Sequence, residues 1–292
     1  MSPDRVVLIF NPHSTGDARE QAEELRDELA ARAPELPVRV VPTEYAGHAR
    51  ELAREEAATG TPLIVSVSGD GGYSEVVDGV LAARGGGAVA AVLPAGNAND
   101  HRRATRRRPL SDAILAGEVS RMDVLRLTLG DGPDATVLHA HSYIGLGLTP
   151  IVAIDLEHGG KGSLREVVSV VRTFARFRPF RIRRADGSTR SYDSLVFANI
   201  DRMAKYATLS EDGDPDDGVF EVVTIPHAAK WRVLVTALRA VTRGLGEQPQ
   251  AREFRFTTLV PTPLQVDGEV VEAGSGVPVA VEILPGALAT IR

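Results

Sequence analysis

The chain has 292 residues, a net charge of −6, 43% hydrophobic residues and no cysteine. That length supports a substantial core and two domains, and the acidic balance argues against general nucleic-acid binding. The lack of cysteine excludes disulfides, thiolate metal sites and cysteine nucleophiles. Aromatic residues make up only 5%, so aliphatic packing is expected to supply the core. No apolar run approaches the ~18 residues of a membrane span, and residues 6–10 are too short for a signal h-region. The expectation is a cytoplasmic protein that is able to touch a membrane surface.

Residues 5–10 (RVVLIF) read as a first buried strand, followed by the polar turn NPHSTG at 11–16 and an amphipathic helix over 18–33. Residues 38–41 form a second strand ending at Pro42 and Thr43, and 48–59 the next helix. Residues 64–67 are apolar and β-branched, which suits a buried central strand. Ser68–Gly69–Asp70–Gly71–Gly72 breaks that pattern, and a helix opens at Ser74–Glu75 and continues to residue 83. Residues 88–93 read as a fourth strand, followed by PAGNAND at 94–100. Strands alternating with helices imply a parallel sheet covered on both faces, with ligands bound beyond the carboxyl ends of the strands. Four polar turns fall at those ends: 11–16, Thr43, 68–74 and 95–100.

The strand, glycine-rich turn and helix start around residues 64–79 have the form of a phosphate-binding unit. Glycines let backbone approach an anion, and the free amides of a helix N-terminus point at it. Asp70 places a carboxylate in that turn, facing Mg²⁺ or a hydroxyl. A tight turn without a ligand explains the same pattern equally well.

Beyond Met122 the rhythm changes to strands over 124–129, 135–142, 180–185, 195–200, 220–225, 253–260 and 279–283. A mainly antiparallel sheet or sandwich follows. Two helices, 163–177 and 228–242, interrupt it. His139 and His141 alternate on one strand face and read as structural.

Taken together, several fragments resemble the diacylglycerol kinase catalytic-domain family, which includes bacterial lipid kinases and sphingosine kinases. Residues 11–16 are similar to its NPxSG turn, 68–79 to GGDGTxxEVVNG, and 94–100 to PxGTGND. Residues 216–219 are similar to its DDG-hydrophobic segment, and 267–269 to its late DGE. The order and spacing agree across nearly the whole chain. The NAD kinases share the central signature but explain the rest less well.

The resemblance implies an N-terminal Rossmann-like parallel α/β nucleotide-binding domain and a C-terminal antiparallel β-sandwich, with the active site in the interdomain cleft. The boundaries expected are 1–123 for the first domain and 124–283 for the β-rich acceptor-binding domain, with 284–292 returning to the first. It implies an ATP-dependent lipid kinase that transfers the γ-phosphoryl group to a hydroxyl of diacylglycerol or a sphingoid base, with Mg²⁺, in phospholipid biosynthesis. The partner is then a lipid presented at a membrane surface, which expects peripheral contact at the inner membrane face. Dimers occur among relatives, so a homodimer is one expectation.

By the same resemblance, Asn11, Thr43, Ser68, Gly69, Asp70, Gly71, Gly72, Tyr73, Ser74 and Asn97 contact the nucleotide. Asp70 also organises metal or acceptor, and Glu269 is the general base, although DGE between two apolar runs is also a hairpin turn. The acidic loop 211–218 lacks EF-hand spacing. Relatives hold a structural Mg²⁺ there, which maps onto Asp214, Asp217 and the Val219 carbonyl. Asn99 and Asp100 cap a helix or shape the cleft. Arg102, Arg103, Arg106, Arg107 and Arg108, with the basic helix after Ser163, meet anionic head groups or are a solvated face.

The chain departs from the family pattern at specific points. Ser68 replaces a glycine, Gly72 and Asn97 replace threonines, Ser74 replaces an asparagine and Ala98 a glycine. The expected glycine-rich stretch near 199–206 reads NIDRMAKY. These changes keep two alternatives open. One is a kinase of soluble substrates, NAD-kinase-like; the other is a catalytically impaired nucleotide- or lipid-binding regulator of the same fold.

Overall fold

The computed structural model describes residues 3–13, 17–83, 87–95, 108–147, 179–200, 202–203, 207–208, 215–228 and 246–291. The chain divides into two compact units. One comprises Met1–Val124 with Pro285–Arg292, and the other Leu125–Leu284.

The first unit is a parallel sheet with helices on its faces. Its elements are β1 (Val6–Phe10), α1 (Ala18–Arg32), β2 (Val38–Pro42), α2 (His48–Ala57), β3 (Leu63–Ser68), α3 (Asp70–Ala82), β4 (Val89–Pro94) and α4 (Leu110–Ala116). The order across the sheet is β2, β1, β3, β4, with Val6 opposite both Val38 and Leu63, and Leu63 opposite Val89. Every residue of β1 and β3 is buried, as their unbroken apolar runs require of central strands. β2 is the edge: its burial is partial, and it ends in Pro42, which cannot donate to a ladder. Val6, Leu8 and Phe10 face a core shared with Ala22, Leu25 and Leu29 of α1 and with Ala113 and Ile114 of α4. Residues Val7 and Ile9 alternate to the opposite face, the side on which α2 packs on β1 and against α3.

Helices α2 and α3 meet closely because the contact is built from small residues. Ala49, Ala53 and Ala57 are buried on α2, and a Cβ on Gly79 of α3 would lie 2.3 Å from the Arg50 carbonyl oxygen. The half-buried Arg50 guanidinium pairs with the Asp78 carboxylate at 2.7 Å.

The second unit is antiparallel. β5 (Val119–Leu129), in which the chain leaves the first unit, is followed by β6 (Thr136–Ala140), β7 (Tyr143–Gly147), β8 (Phe180–Arg184) and β9 (Thr189–Ala198). Then come the short strands β10 (Arg202–Met203) and β11 (Ala207–Thr208), β12 (Phe220–Pro226) and β13 (Gln250–Ala251). β14 (Glu253–Thr258), β15 (Thr262–Val266), β16 (Glu269–Ala273) and β17 (Pro278–Ile291) complete the chain. Strands run β16, β15, β7, β9, β8, β14 and the first part of β17 across the sheet. The last part of β17 belongs to the first unit, where Thr290 pairs in parallel with Ala90 of β4.

Aliphatic residues supply most of the core in both units, but the second also concentrates aromatic rings. Phe180, Phe197, Phe220, Phe254 and Phe256 gather in one core there. Phe197 meets Phe220 edge-on at 5.7 Å and Phe254 at 5.2 Å between ring centroids. An overall aromatic fraction cannot reveal that such residues are concentrated. Helix α4, strand β7 and the length of β17 also differ from the sequence expectation. The last was expected to stop at Ile283 but continues through Pro285 and Gly286, whose N–H is taken up by the Asp123 carboxylate at 2.7 Å.

Candidate nucleotide-binding site

The glycine-rich turn is shorter than its sequence suggests. Helix α3 begins at Asp70, not near Ser74, so Gly71 and Gly72 belong to its first turn. Only Gly69, extended at φ −83° and ψ −171°, separates strand from helix. The ladder opens with the Tyr73 N–H donating to the Gly69 carbonyl at 3.2 Å. The amides ahead of it have no intrahelical acceptor, and the helix dipole adds positive potential at the same place.

Beside this helix start lies a cleft of about 520 Å³, lined by Asn11, Thr43, Ser68, Gly69 and Gly72 among the expected nucleotide contacts. Its walls come from the carboxyl ends of β1, β2 and β3 and the approach to α2, where an open α/β sheet binds ligands. Helical spacing sets which residues of α3 take part: Gly72 and Glu75 line the cleft, three positions apart. Tyr73 and Ser74, expected as contacts, are buried instead. The Tyr73 hydroxyl lies 3.4 Å from Thr290 Oγ1, inside the first unit. Asp70 and Gly71 share the first turn without lining the cleft.

Local hydrogen bonds fix these walls. Asn11 Oδ1 accepts the His13 N–H at 2.8 Å, and the Thr43 N–H donates to the Phe10 carbonyl at 2.8 Å. The Gly47 N–H donates to Glu75 Oε1 at 3.2 Å, which ties the α2 approach to α3. Ser66 and Ser68 share a hydrogen bond at 2.7 Å, and Ser68 Oγ also donates to the Gly69 carbonyl. Among the described residues that line the cleft, the charged ones are Glu44 and Glu75, with no lysine or arginine.

Glu269 is exposed at the start of β16, in the second unit. It follows a two-residue hairpin turn in which Asp267 and Gly268 both have positive φ, 45° and 102°. The preceding Asp267 is fully buried and anchors the turn. Its carboxylate accepts the N–H groups of His141 at 2.6 Å and Tyr143 at 2.8 Å, and that of Ser142 at 3.1 Å. His141 Nε2 lies 3.3 Å from the same carboxylate, and its Nδ1 is 2.7 Å from Ser142 Oγ. Burial pushes the Asp267 carboxyl up to about 7, against the opposing pull of the three N–H donors. This cluster escapes sequence reasoning because its members are separated by more than a hundred residues.

In the acidic loop, Asp217 Oδ1 accepts the Val219 N–H at 3.0 Å. Among the described residues no group of three acidic or histidine side chains could hold a metal ion. Asp214 lies outside the described residues, as do Asn97, Asn99, Asp100, the arginines 102–107 and the helix expected over 163–177. Among the described residues no helix is long and apolar enough to cross a membrane.

Residues 5–127 match the diacylglycerol kinase catalytic domain, and residues 151–292 the YegS C-terminal NAD kinase beta sandwich-like domain. The first part of the chain, residues 5–127, is therefore similar to the diacylglycerol kinase catalytic domain, and the second part to the C-terminal domain of a YegS-type protein. A Pseudomonas aeruginosa protein named "Probable lipid kinase YegS-like" is 36% identical over 107 residues, which is 36% of this chain. The match spans about a third of that relative's length (33%). Among solved structures, a diacylglycerol kinase from Bacillus anthracis superposes with a TM-score of 0.71 at 18% identity, covering 100% of this chain and 98% of its own. Yeast NADH kinase, complexed with NADH, gives a TM-score of 0.56 at 13% identity, covering 99% of this chain and 83% of its own. At these identities the structural likeness speaks for the fold: a parallel α/β part followed by an antiparallel β-sandwich, as in the family.

Proposed function

We propose that this protein is an ATP-dependent lipid kinase. The observation that carries the reading is the cleft at the carboxyl ends of β1, β2 and β3, with the start of α3 opening beside Gly69 and Gly72. The amides of Gly69 and Gly72, which line the cleft, hold phosphate oxygens, and Asn11, Thr43 and Ser68 complete the wall. Mg²⁺ entering with the nucleotide neutralises phosphate charge that the acidic cleft cannot. Asp70, in the first turn, is the carboxylate nearest in sequence for orienting that ion or the acceptor.

Glu269 serves as general base. Its carboxylate takes the proton of a lipid hydroxyl, and the hydroxyl oxygen bonds to the γ-phosphorus. The bond from that phosphorus to the bridging oxygen breaks, and ADP leaves with the electron pair. A separate structural ion on Asp214, Asp217 and the Val219 carbonyl belongs to the same reading. Of these, Asp217, whose Oδ1 accepts the Val219 N–H, and Val219 are among the described residues. The lipid would be met at the inner face of a membrane.

Incubation with γ-labelled ATP and a panel of diacylglycerol, a sphingoid base, phosphatidylglycerol and NAD tests this. Label is expected in a lipid. Label in NAD alone would overturn the lipid acceptor, and bound nucleotide without transfer to any acceptor would overturn the enzyme in favour of a regulator.

A further inference from the structure

Tyr45 is an unusual residue for an acidic, anion-binding cleft. It lines the same cleft as Gly69 and Gly72, yet it is 53% exposed, more than any other large hydrophobic residue among the described residues. Its ring is held on two sides. His48 stacks on it with centroids 4.5 Å apart and planes 9° from parallel. Its hydroxyl donates to Glu51 Oε2 at 2.6 Å.

The histidine is itself fixed. Its Nδ1 accepts the Glu44 N–H at 3.0 Å, which leaves the proton of a neutral ring on Nε2. The loop that carries Tyr45 is bonded to α3 through Gly47 and Glu75. The loop with the aromatic surface is therefore tied by a hydrogen bond to the helix whose start forms the phosphate-binding turn. An exposed ring needs no such bracing to remain folded, whereas a stacking platform gains from being preorganised.

We infer that Tyr45, backed by His48, is the platform on which the purine base of the bound nucleotide stacks. The inference rests on the nucleotide reading of this cleft and adds where the base lies. A planar ring joined to a polyphosphate matches the two ends of the cleft: an aromatic face at one, backbone amides at the other. A cleft of about 520 Å³ lies within the usual range for small-molecule sites. Tyr45 is then a specificity residue for nucleotide over plain polyphosphate.

Calorimetric titration of the full chain with ATP and with tripolyphosphate, both with Mg²⁺, tests this. Wild type is expected to bind ATP more tightly than tripolyphosphate. Tyr45→Ala should weaken ATP roughly tenfold or more and leave tripolyphosphate unchanged, while Tyr45→Phe keeps most of the ATP affinity. In Tyr45→Trp, ATP but not tripolyphosphate should quench the added emission. An equal effect of Tyr45→Ala on both ligands, or on neither, would overturn the platform while leaving the phosphate site standing. Failure of wild type to bind either ligand would remove the nucleotide reading itself, and the platform with it.

Discussion

A Cβ on Gly72 would lie 2.5 Å from Ser68 Oγ and 2.7 Å from Ser68 Cβ. The two departures from the family's GGDGT pattern are therefore one change: the hydroxyl stands at position 68, and position 72 is emptied to make room. Gly72→Ala should gain about 1 kcal/mol of helix propensity but lose about 1–3 kcal/mol to overpacking, for a net destabilisation. In a Ser68→Gly background the obstructing atoms are gone, and the same substitution should become neutral or stabilising. Denaturant unfolding of the four proteins of this cycle measures the coupling, expected at about 1 kcal/mol or more. Additive effects would refute the exchange.

Gly79 presents a harder obstacle, because what it faces is the backbone of α2, at the Arg50 carbonyl, with Ala53 Cβ at 2.9 Å. A carbonyl cannot rotate away as a side chain does. Gly79→Ala should therefore destabilise the first unit by about 1–3 kcal/mol despite its better helix propensity, visible as a thermal midpoint several degrees lower. Since the approach to α2 carries Thr43–Ala49 along one wall of the cleft, nucleotide affinity should fall in the same variant.

Asp267 makes stability depend on pH in an unusual direction. Its ordinary value is 3.8, and burial raises it to about 7 in the folded protein. Between those limits the folded state keeps a proton that the unfolded chain has released. Stability from this group is therefore greatest below about pH 4, falls as pH rises toward 7, and levels off above. The loss is on the order of a few kcal/mol. The groups facing the carboxyl are the N–H donors of residues 141–143 and His141 Nε2, whose ring also meets Ser142. Unfolding free energies measured from pH 4 to 8 should slope downward in wild type and more weakly in Asp267→Asn; parallel curves would remove Asp267 as the titrating group.

What the sequence disclosed follows from how local each feature is. VVLIF and LIVSVS announce buried parallel strands because burial on both faces needs continuous apolar runs. The DGE hairpin was visible in its flanking runs. The start of α3 was misplaced because two glycines in succession look like a turn, whereas here they are the first turn of a helix with Ser68 behind it. Tyr45 leaves no periodic trace, being one aromatic in a loop. The Asp267 anchor was invisible for a different reason: its three donors are backbone N–H groups of distant residues, and such donors have no sequence signature.

Glu269 separates a turn residue from a base. It stands exposed at the head of β16, one residue beyond the positive-φ turn, where Val266 pairs with it across the hairpin. The turn's conformation comes from Asp267 and Gly268, not from Glu269, so Glu269→Gln should leave the thermal midpoint almost unchanged. As the base of the proposed transfer, the carboxylate is needed only when the acceptor proton moves. Glu269→Gln should then lower kcat by about two to four orders of magnitude, with ATP affinity nearly intact. Turnover and calorimetric ATP binding measured on the same preparation distinguish the roles. Unchanged turnover would reduce Glu269 to a hairpin residue, whereas loss of turnover together with loss of ATP binding would mean that the substitution acts on the nucleotide rather than on the proton.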